Sequence, residues 1–151
     1  MEEGPPLKDR SDVRRPRHSL AAHTSEVELR IEAPDLTTLF EEAARALAEL
    51  MAEDARGSET VDVRVHVEAP SREELLVRWI DEIVFLTEVH TRVYGDVRVE
   101  HADDQRLVAT LAGHVPEIPR TAVKAATWHR LAVRDHAERD GWLEARVVLD
   151  V

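Results

Sequence analysis

From Val27 the chain alternates strictly, with Val27, Leu29 and Ile31 on one side and Glu28, Arg30 and Glu32 on the other. That is the pattern of a strand with one buried face. Just upstream, His23, Thr24 and Glu26 stand at the strand's mouth, where a sheet holds polar groups firmly yet leaves them open to solvent. A displayed functional group fits that position, and so does a solvated turn before an edge strand. Pro34 breaks the alternation. Asp35 is placed to cap a helix whose apolar stripe is Leu36, Leu39, Phe40, Ala43, Leu47, Leu50 and Met51. Gly57 and Ser58 mark a turn, and Val61, Val63, Val65 and Val67 then alternate with Asp62, Arg64 and His66 in a second half-buried strand. Ser71 with Glu74 makes a capping box for a second helix, with Leu75, Leu76, Trp79, Ile80, Ile83 and Val84 at helical spacing. Trp79 is expected in the core.

Beyond that helix the two-residue period returns. Strands are expected over 93–100 and 106–114, with a turn at Asp103-Asp104 between them and an interruption at Pro116 and Pro119. A long strand is expected over 121–133, with Val123, Ala125, Thr127, His129, Leu131 and Val133 on one face. Asp140-Gly141 reads as a hairpin turn into a closing strand over 142–151. About six strands, most of them consecutive, and two amphipathic helices predict an α+β two-layer sandwich: a mixed, mostly antiparallel sheet with both helices on one face. Residues 1–17 hold Pro5, Pro6 and Pro16 among alternating charges and are expected to form a disordered arm, leaving 18–151 as the folded domain.

Composition narrows the functional classes. The 151 residues suffice for one core, burying about 68–70% of the unfolded surface. No apolar run approaches the ~20 residues that span a bilayer, so no membrane segment is expected. The absence of cysteine excludes disulfides, thiolate metal sites and thiol nucleophiles. Without the apolar core of a secretory signal at the amino terminus, a cytoplasmic location is the expectation. The formal charge of −11 disfavours direct nucleic-acid binding, because gripping phosphates requires a positive field. Arg14, Arg15 and Arg17 do not reverse this, since Glu2, Glu3, Asp9 and Asp12 nearly cancel them. An acidic surface suits metal cations or a basic protein partner.

Apolar residues continue to the last position in Ala145-Arg146-Val147-Val148-Leu149-Asp150-Val151, which sets the terminal carboxylate beside that of Asp150. Two such anions raise each other's proton affinity unless a cation neutralises them. Lys124 is one candidate; a hard divalent cation, bound by carboxylate and carbonyl oxygens with water, is the other.

These segments carry a resemblance. His23-Thr24-Ser25-Glu26 resembles the His-Thr-Ala-Asp segment of the archease family. Val123-Lys124-Ala125-Ala126-Thr127-Trp128-His129-Arg130-Leu131 is similar to its Val-Lys-Ala-(apolar)-Thr-Tyr-His-x-Leu strand, and Leu75-Leu76-Val77-Arg78-Trp79-Ile80-Asp81-Glu82 to its Leu-Leu-x-x-Trp-Leu-x-Glu helix. The closing Arg-Val-Val-Leu-Asp-Val run matches too. Each motif alone is weak, but their order agrees along residues 17–151. The resemblance implies an accessory protein, not itself an enzyme, that assists an RtcB-type RNA ligase in tRNA splicing or RNA repair. It would promote metal-dependent guanylylation of the ligase and sustain multiple turnover. It also implies a metal site at Glu26 and Asp150, with the Val151 carboxylate as a further ligand. The implied cofactor is a divalent metal, Ca²⁺ first, with Mn²⁺ and Mg²⁺ as alternatives. Lys124 matches a family lysine near that site; His23 and His129 match motif histidines whose roles stay open.

The chain departs from the family pattern at the site. Glu26 replaces the motif aspartate, keeping the charge and oxygen ligands but adding a methylene and a torsion. Ser25 replaces the alanine, and Glu28 replaces a glycine usual soon after, adding a carboxylate that could supplement the site. A stand-alone metal-binding protein or metal-dependent hydrolase is a rival class, since carboxylates, lysine and histidine can activate a metal-bound water. Against a hydrolase, the chain has no His-Glu-x-x-His pair, phosphate-binding glycine loop or Gly-x-Ser-x-Gly elbow. His18, His66, His90, His101, His114 and His136 are scattered without ligand spacing. A third class is a chaperone-like interaction module, with Trp128 as its partner-binding anchor.

Overall fold

Both capping signals start helices in the computed structural model of the chain, which describes residues 14–53, 60–116 and 118–151. Asp35 accepts the Thr38 amide at 2.8 Å ahead of α1 (Leu36–Met51), and Ser71 accepts the Glu74 amide at 3.2 Å ahead of α2 (Arg72–His90). Each cap satisfies an amide that the first helical turn leaves unpaired. The strands are β1 (Arg17–Ala22), β2 (Glu26–Ala33), β3 (Val61–Glu68), β4 (Val93–Ala102), β5 (Arg106–His114), β6 (Ala125–Asp135) and β7 (Leu143–Asp150). Gly141, at φ 78°, turns the chain between β6 and β7, a conformation that glycine adopts without strain.

The α+β class expected from the pattern holds, but the strands divide into two sheets. One is four-stranded in the order β1-β2-β7-β6 and the other three-stranded in the order β3-β5-β4, with every pairing antiparallel. Alternation reveals which side of a strand is buried; which strand lies beside it is settled in space. The helices bridge the sheets: α1 lies against β4 and also β2 and β1, while α2 lies against β6 and also β3, β4 and β5. Trp79 is fully buried, and its indole N–H donates to the Phe40 carbonyl at 2.9 Å, joining the helices across the core. A Cβ on Gly95 would stand 2.7 Å from the Ala48 Cβ, so glycine is what allows β4 to lie so near α1.

Three differences from the sequence pattern bear on the site. Strand β1 has one sizeable apolar residue, Leu20, and no alternation. It forms because it pairs along β2 from Arg17↔Glu32 to Ala22↔Val27. Arg17 thus opens a strand, while residues 1–13 of the expected arm and the Gly57-Ser58 turn fall outside the described residues. Second, the long strand starts at Ala125 and not near Thr121, because the Arg120 and Thr121 amides are spent on the Met51 and Leu50 carbonyls at the end of α1. Third, the register against β7 shifts between Thr127 and Ala132, with Arg130 at φ 54°. That shift of three residues reverses the facing: Thr127 pairs with Val148 on the outer side and Val133 with Ala145 on the inner, so the expected common face is broken.

A candidate acidic site at the end of the four-stranded sheet

The mouth of β2 meets the end of β7. Glu26 and Asp150 are direct cross-strand partners, with Ala125 of β6 on the far side of Asp150. Directly opposed residues of an antiparallel pair have Cβ atoms about 4.5–5.5 Å apart, so the two carboxylates emerge side by side from one face. Three backbone bonds fix the spot. The His23 amide donates to the Glu26 carbonyl at 2.8 Å, the Lys124 amide to the Asp150 carbonyl at 2.8 Å, and the Val151 amide to the Ser25 carbonyl at 3.0 Å. The last residue is therefore tied to the turn that precedes β2.

The structure brings together Glu26, Asp150 and Val151, with Ser25 and the Lys124 backbone beside them. It carries the other expected residues elsewhere. Glu28 lies two pairs further into the sheet, 7% exposed, with its carboxylate 3.4 Å from Arg30 and 3.8 Å from Arg146. His129 and Trp128 sit in the β6 bulge, where the His129 amide donates to Thr127 Oγ1 at 3.4 Å and Trp128 is 60% exposed. His23 is exposed in the turn. The Lys124 side chain borders a cavity of about 370 Å³ with Met51, Val84, Thr87 and Val123, and among the described residues it forms no ion pair with Asp150.

The side chains gathered here offer oxygen ligands, the type that hard cations take. Among the described residues, no lysine, arginine or histidine pairs with the side chain of Glu26 or Asp150, so two adjacent carboxylates stand unneutralised. Nor, among those residues, do three His, Cys, Asp or Glu side chains gather to hold a metal. Two carboxylates with backbone oxygens nearby suit Ca²⁺ or Mg²⁺, which complete their shells with water, better than they suit a metal needing nitrogen or sulfur ligands.

Two interactions on the helix-packed side of this sheet were not legible in the pattern. Asp81 of α2 accepts the Ala126 amide at 2.9 Å, anchoring the start of β6. Glu42 sits in the apolar stripe of α1 and is 7% exposed. A charged residue on a buried stripe demands a partner, and that is the signal that could have exposed it.

Two antiparallel sheets bridged by two helices, with a pair of carboxylates facing each other at a strand end, define a small α+β protein with an acidic sheet margin. Residues 18–151 match the model of the archease protein family (MTH1598/TM1083), and the chain belongs to that family. A "Protein archease" of Methanothermobacter thermautotrophicus is 32% identical over 125 residues, covering 78% of this chain and 86% of that protein. The solution structure of Methanobacterium thermoautotrophicum protein 1598 superposes with a TM-score of 0.62 at 27% identity, covering 89% of this chain and 98% of that one. The crystal structure of a Thermotoga maritima archease, described as a possible chaperone, gives a TM-score of 0.62 at 18% identity, covering 85% and 93%, and supports the fold. No helix among the described residues is long and apolar enough to cross a membrane.

Proposed function

We propose that this chain is an accessory protein, without catalysis of its own, that activates an RtcB-type RNA ligase in the cytoplasm during tRNA splicing or RNA repair. Membership of the archease family and the facing pair Glu26 and Asp150 support this reading. The pair is the single observation that carries it, because it presents two carboxylates that no basic side chain among the described residues pairs with. In this role Glu26 and Asp150 would hold a divalent cation, with Val151 tied beside them through its amide to the Ser25 carbonyl. When bound, such a cation would supply positive charge able to neutralise phosphate oxygens. Lys124 takes part through its backbone, whose amide donates to the Asp150 carbonyl and fixes the end of β7. Glu28 is left out of the metal site, because it lies two cross-strand pairs away and its carboxylate stands nearer to Arg30 and Arg146.

The deciding measurement is turnover by the ligase from the same source, at limiting enzyme with excess joinable RNA, GTP and Mn²⁺, with and without this protein. The expected result is a passage from about single to multiple turnover that Asp150→Ala abolishes. An active ligase indifferent to the protein would overturn the reading. The cation is tested apart from the ligase: millimolar Ca²⁺ or Mn²⁺ raises the melting temperature of the native chain and leaves Asp150→Ala and Glu26→Ala unmoved. Saturation at 100 times the dissociation constant is worth roughly 2.7 kcal/mol. Equal shifts in all three proteins would remove the site.

A second reading, an interaction module of chaperone type, draws on Trp128. An indole 60% exposed on a bulged edge strand is a large apolar surface that contributes little to the core.

A further inference from the structure

Arg30 and Arg146 are direct cross-strand partners on the outer face of the β2–β7 ladder. Like charges directly opposite one another work against strand pairing unless an anion lies between them. The nearest anion, Glu28, serves both arginines poorly. Its Oε2 is 3.4 Å from Nη2 of Arg30 and its Oε1 3.8 Å from Nε of Arg146. Neither contact is a hydrogen bond, and both Glu28 Oε1 and Arg146 Nε are buried without a partner. A buried donor left unpaired is a standing cost that a ligand oxygen would remove.

On β6, the neighbour of Arg146 is Ala132, and this small residue leaves room. A cavity of about 150 Å³ opens there, walled by Arg30, Arg134, Arg146, Glu32 and Glu144. Its two glutamates are already engaged: Glu32 by His136 at 2.8 Å, and Glu144 by Arg134 Nε at 2.7 Å. Including Arg17, which lies 3.9 Å from Glu32, the arginines Arg17, Arg30, Arg134 and Arg146 outnumber the glutamates Glu28, Glu32 and Glu144 by one. On a chain of net charge −11, this is a local excess of positive charge around a cavity. Planar guanidinium forks match the oxygens of a phosphate or sulfate two at a time. The same net charge opposes a long polyanion, whose further phosphates would meet the acidic surface.

We propose that the outer face of the four-stranded sheet binds one small phosphate-type oxyanion, held by Arg30, Arg134 and Arg146, with Glu28 as the internal anion that competes with it. The site is separate from the Glu26 and Asp150 pair and does not depend on the ligase reading. The oxyanion is inorganic phosphate or the phosphate of a mononucleotide, recognised through the same oxygens.

The test is a titration followed by nuclear magnetic resonance, observing the Arg146 Nε–H signal and the amides of Ala132 and Ala145. Inorganic phosphate, GMP, a short RNA and chloride at matched ionic strength are the arms. Phosphate is expected to shift these signals saturably, with a dissociation constant on the order of 1 mM, while chloride does not. Losing one charge-assisted contact in Arg30→Gln weakens binding about tenfold, and Glu28→Gln, which removes the competitor, tightens it several-fold. Arg30 is exposed, so its variant tests the site without endangering the fold. Equal affinity for phosphate and GMP assigns the site to the phosphate group itself, and tighter GMP assigns it to a nucleotide. A linear response shared with chloride, an unchanged affinity in Glu28→Gln, or RNA binding tighter than GMP would each overturn the proposal.

Discussion

Two glutamates are buried to the same 7% exposure, and their surroundings differ completely. Glu42, in the seam between β1 and α1, has Oε1 2.7 Å from His18 Nδ1 and Oε2 3.1 Å from Arg45 Nη1. The other ring nitrogen of His18 lies 2.6 Å from Glu49 Oε2, so an imidazolium donates to two carboxylates at once. Glu28, on the outer face of the sheet, has two arginines close by and hydrogen-bonds to neither. A buried charge whose oxygens are filled is a structural clasp, here holding an edge strand with few apolar residues of its own. A buried charge whose oxygens are empty can change partners when a ligand arrives. Burial alone therefore does not separate structure from function; hydrogen-bond saturation does.

The same substitution at both positions tests this contrast most sharply. Glu42→Gln removes a charge that His18 and Arg45 both address, and should lower the unfolding free energy by about 2 kcal/mol in urea titrations. Should Glu28→Gln prove equally costly, the distinction between the two glutamates would collapse. His18→Gln comes next, at about 1–2 kcal/mol near pH 5.5, where the imidazolium is charged. Its effect depends on pH in a definite sense. The Glu42 hydrogen bond outweighs burial and, with Glu49, holds the His18 ring above its ordinary 6.5, so its contribution is complete below that value and is lost as pH rises through the raised one. Burial pushes Glu42 up, but hydrogen bonds from His18 and Arg45 outweigh it and hold the carboxyl below its ordinary 4.5. Its contribution is thus present above 4.5 and lost as pH falls through the lowered value. The stability gap between the native chain and His18→Gln should therefore be widest between pH 4.5 and 6.5. A gap that is flat from pH 5 to 9 would contradict the clasp.

Smaller effects are expected where groups are unsatisfied or exposed. Glu28→Gln should change stability by no more than about 0.5 kcal/mol, since the carboxylate forms no hydrogen bond to lose. Trp128→Ala should cost a similarly small amount, because the indole is 60% exposed. If Trp128 anchors a partner, the same variant weakens that complex by about 2 kcal/mol, a difference visible in a pull-down with the ligase. Unfolding of the variant would instead place Trp128 in the core and remove it as an anchor.

At the other end of the sheet, Glu26 and Asp150 complete the contrast, as carboxylates that face each other and pair with no cationic side chain among the described residues. Their separation in sequence is nearly the whole length of the domain. Antiparallel pairing brings the first residue of β2 opposite the last of β7, and a one-residue slip in that register would turn the two carboxylates to opposite faces.

Local chemistry was readable without any structure. Asp35 and Ser71 announced the starts of both helices, Gly141 the last hairpin, and the alternation from Val27 the strand that carries Glu26, because caps, turns and periodicity depend on residues a few positions apart. The resemblance at residues 23–26 and in the closing 146–151 run marked out the acidic pair. Only the tertiary structure decided the rest. It split the strands into two sheets, made β1 a strand through its pairing with β2, and inserted the bulge that reverses the facing of β6. It also set Arg30 against Arg146 and gave Glu42 its histidine while leaving Glu28 without a bond. Those outcomes depend on which segments, tens of residues apart, come to lie side by side, and hydrophobic periodicity holds no record of a strand's neighbour.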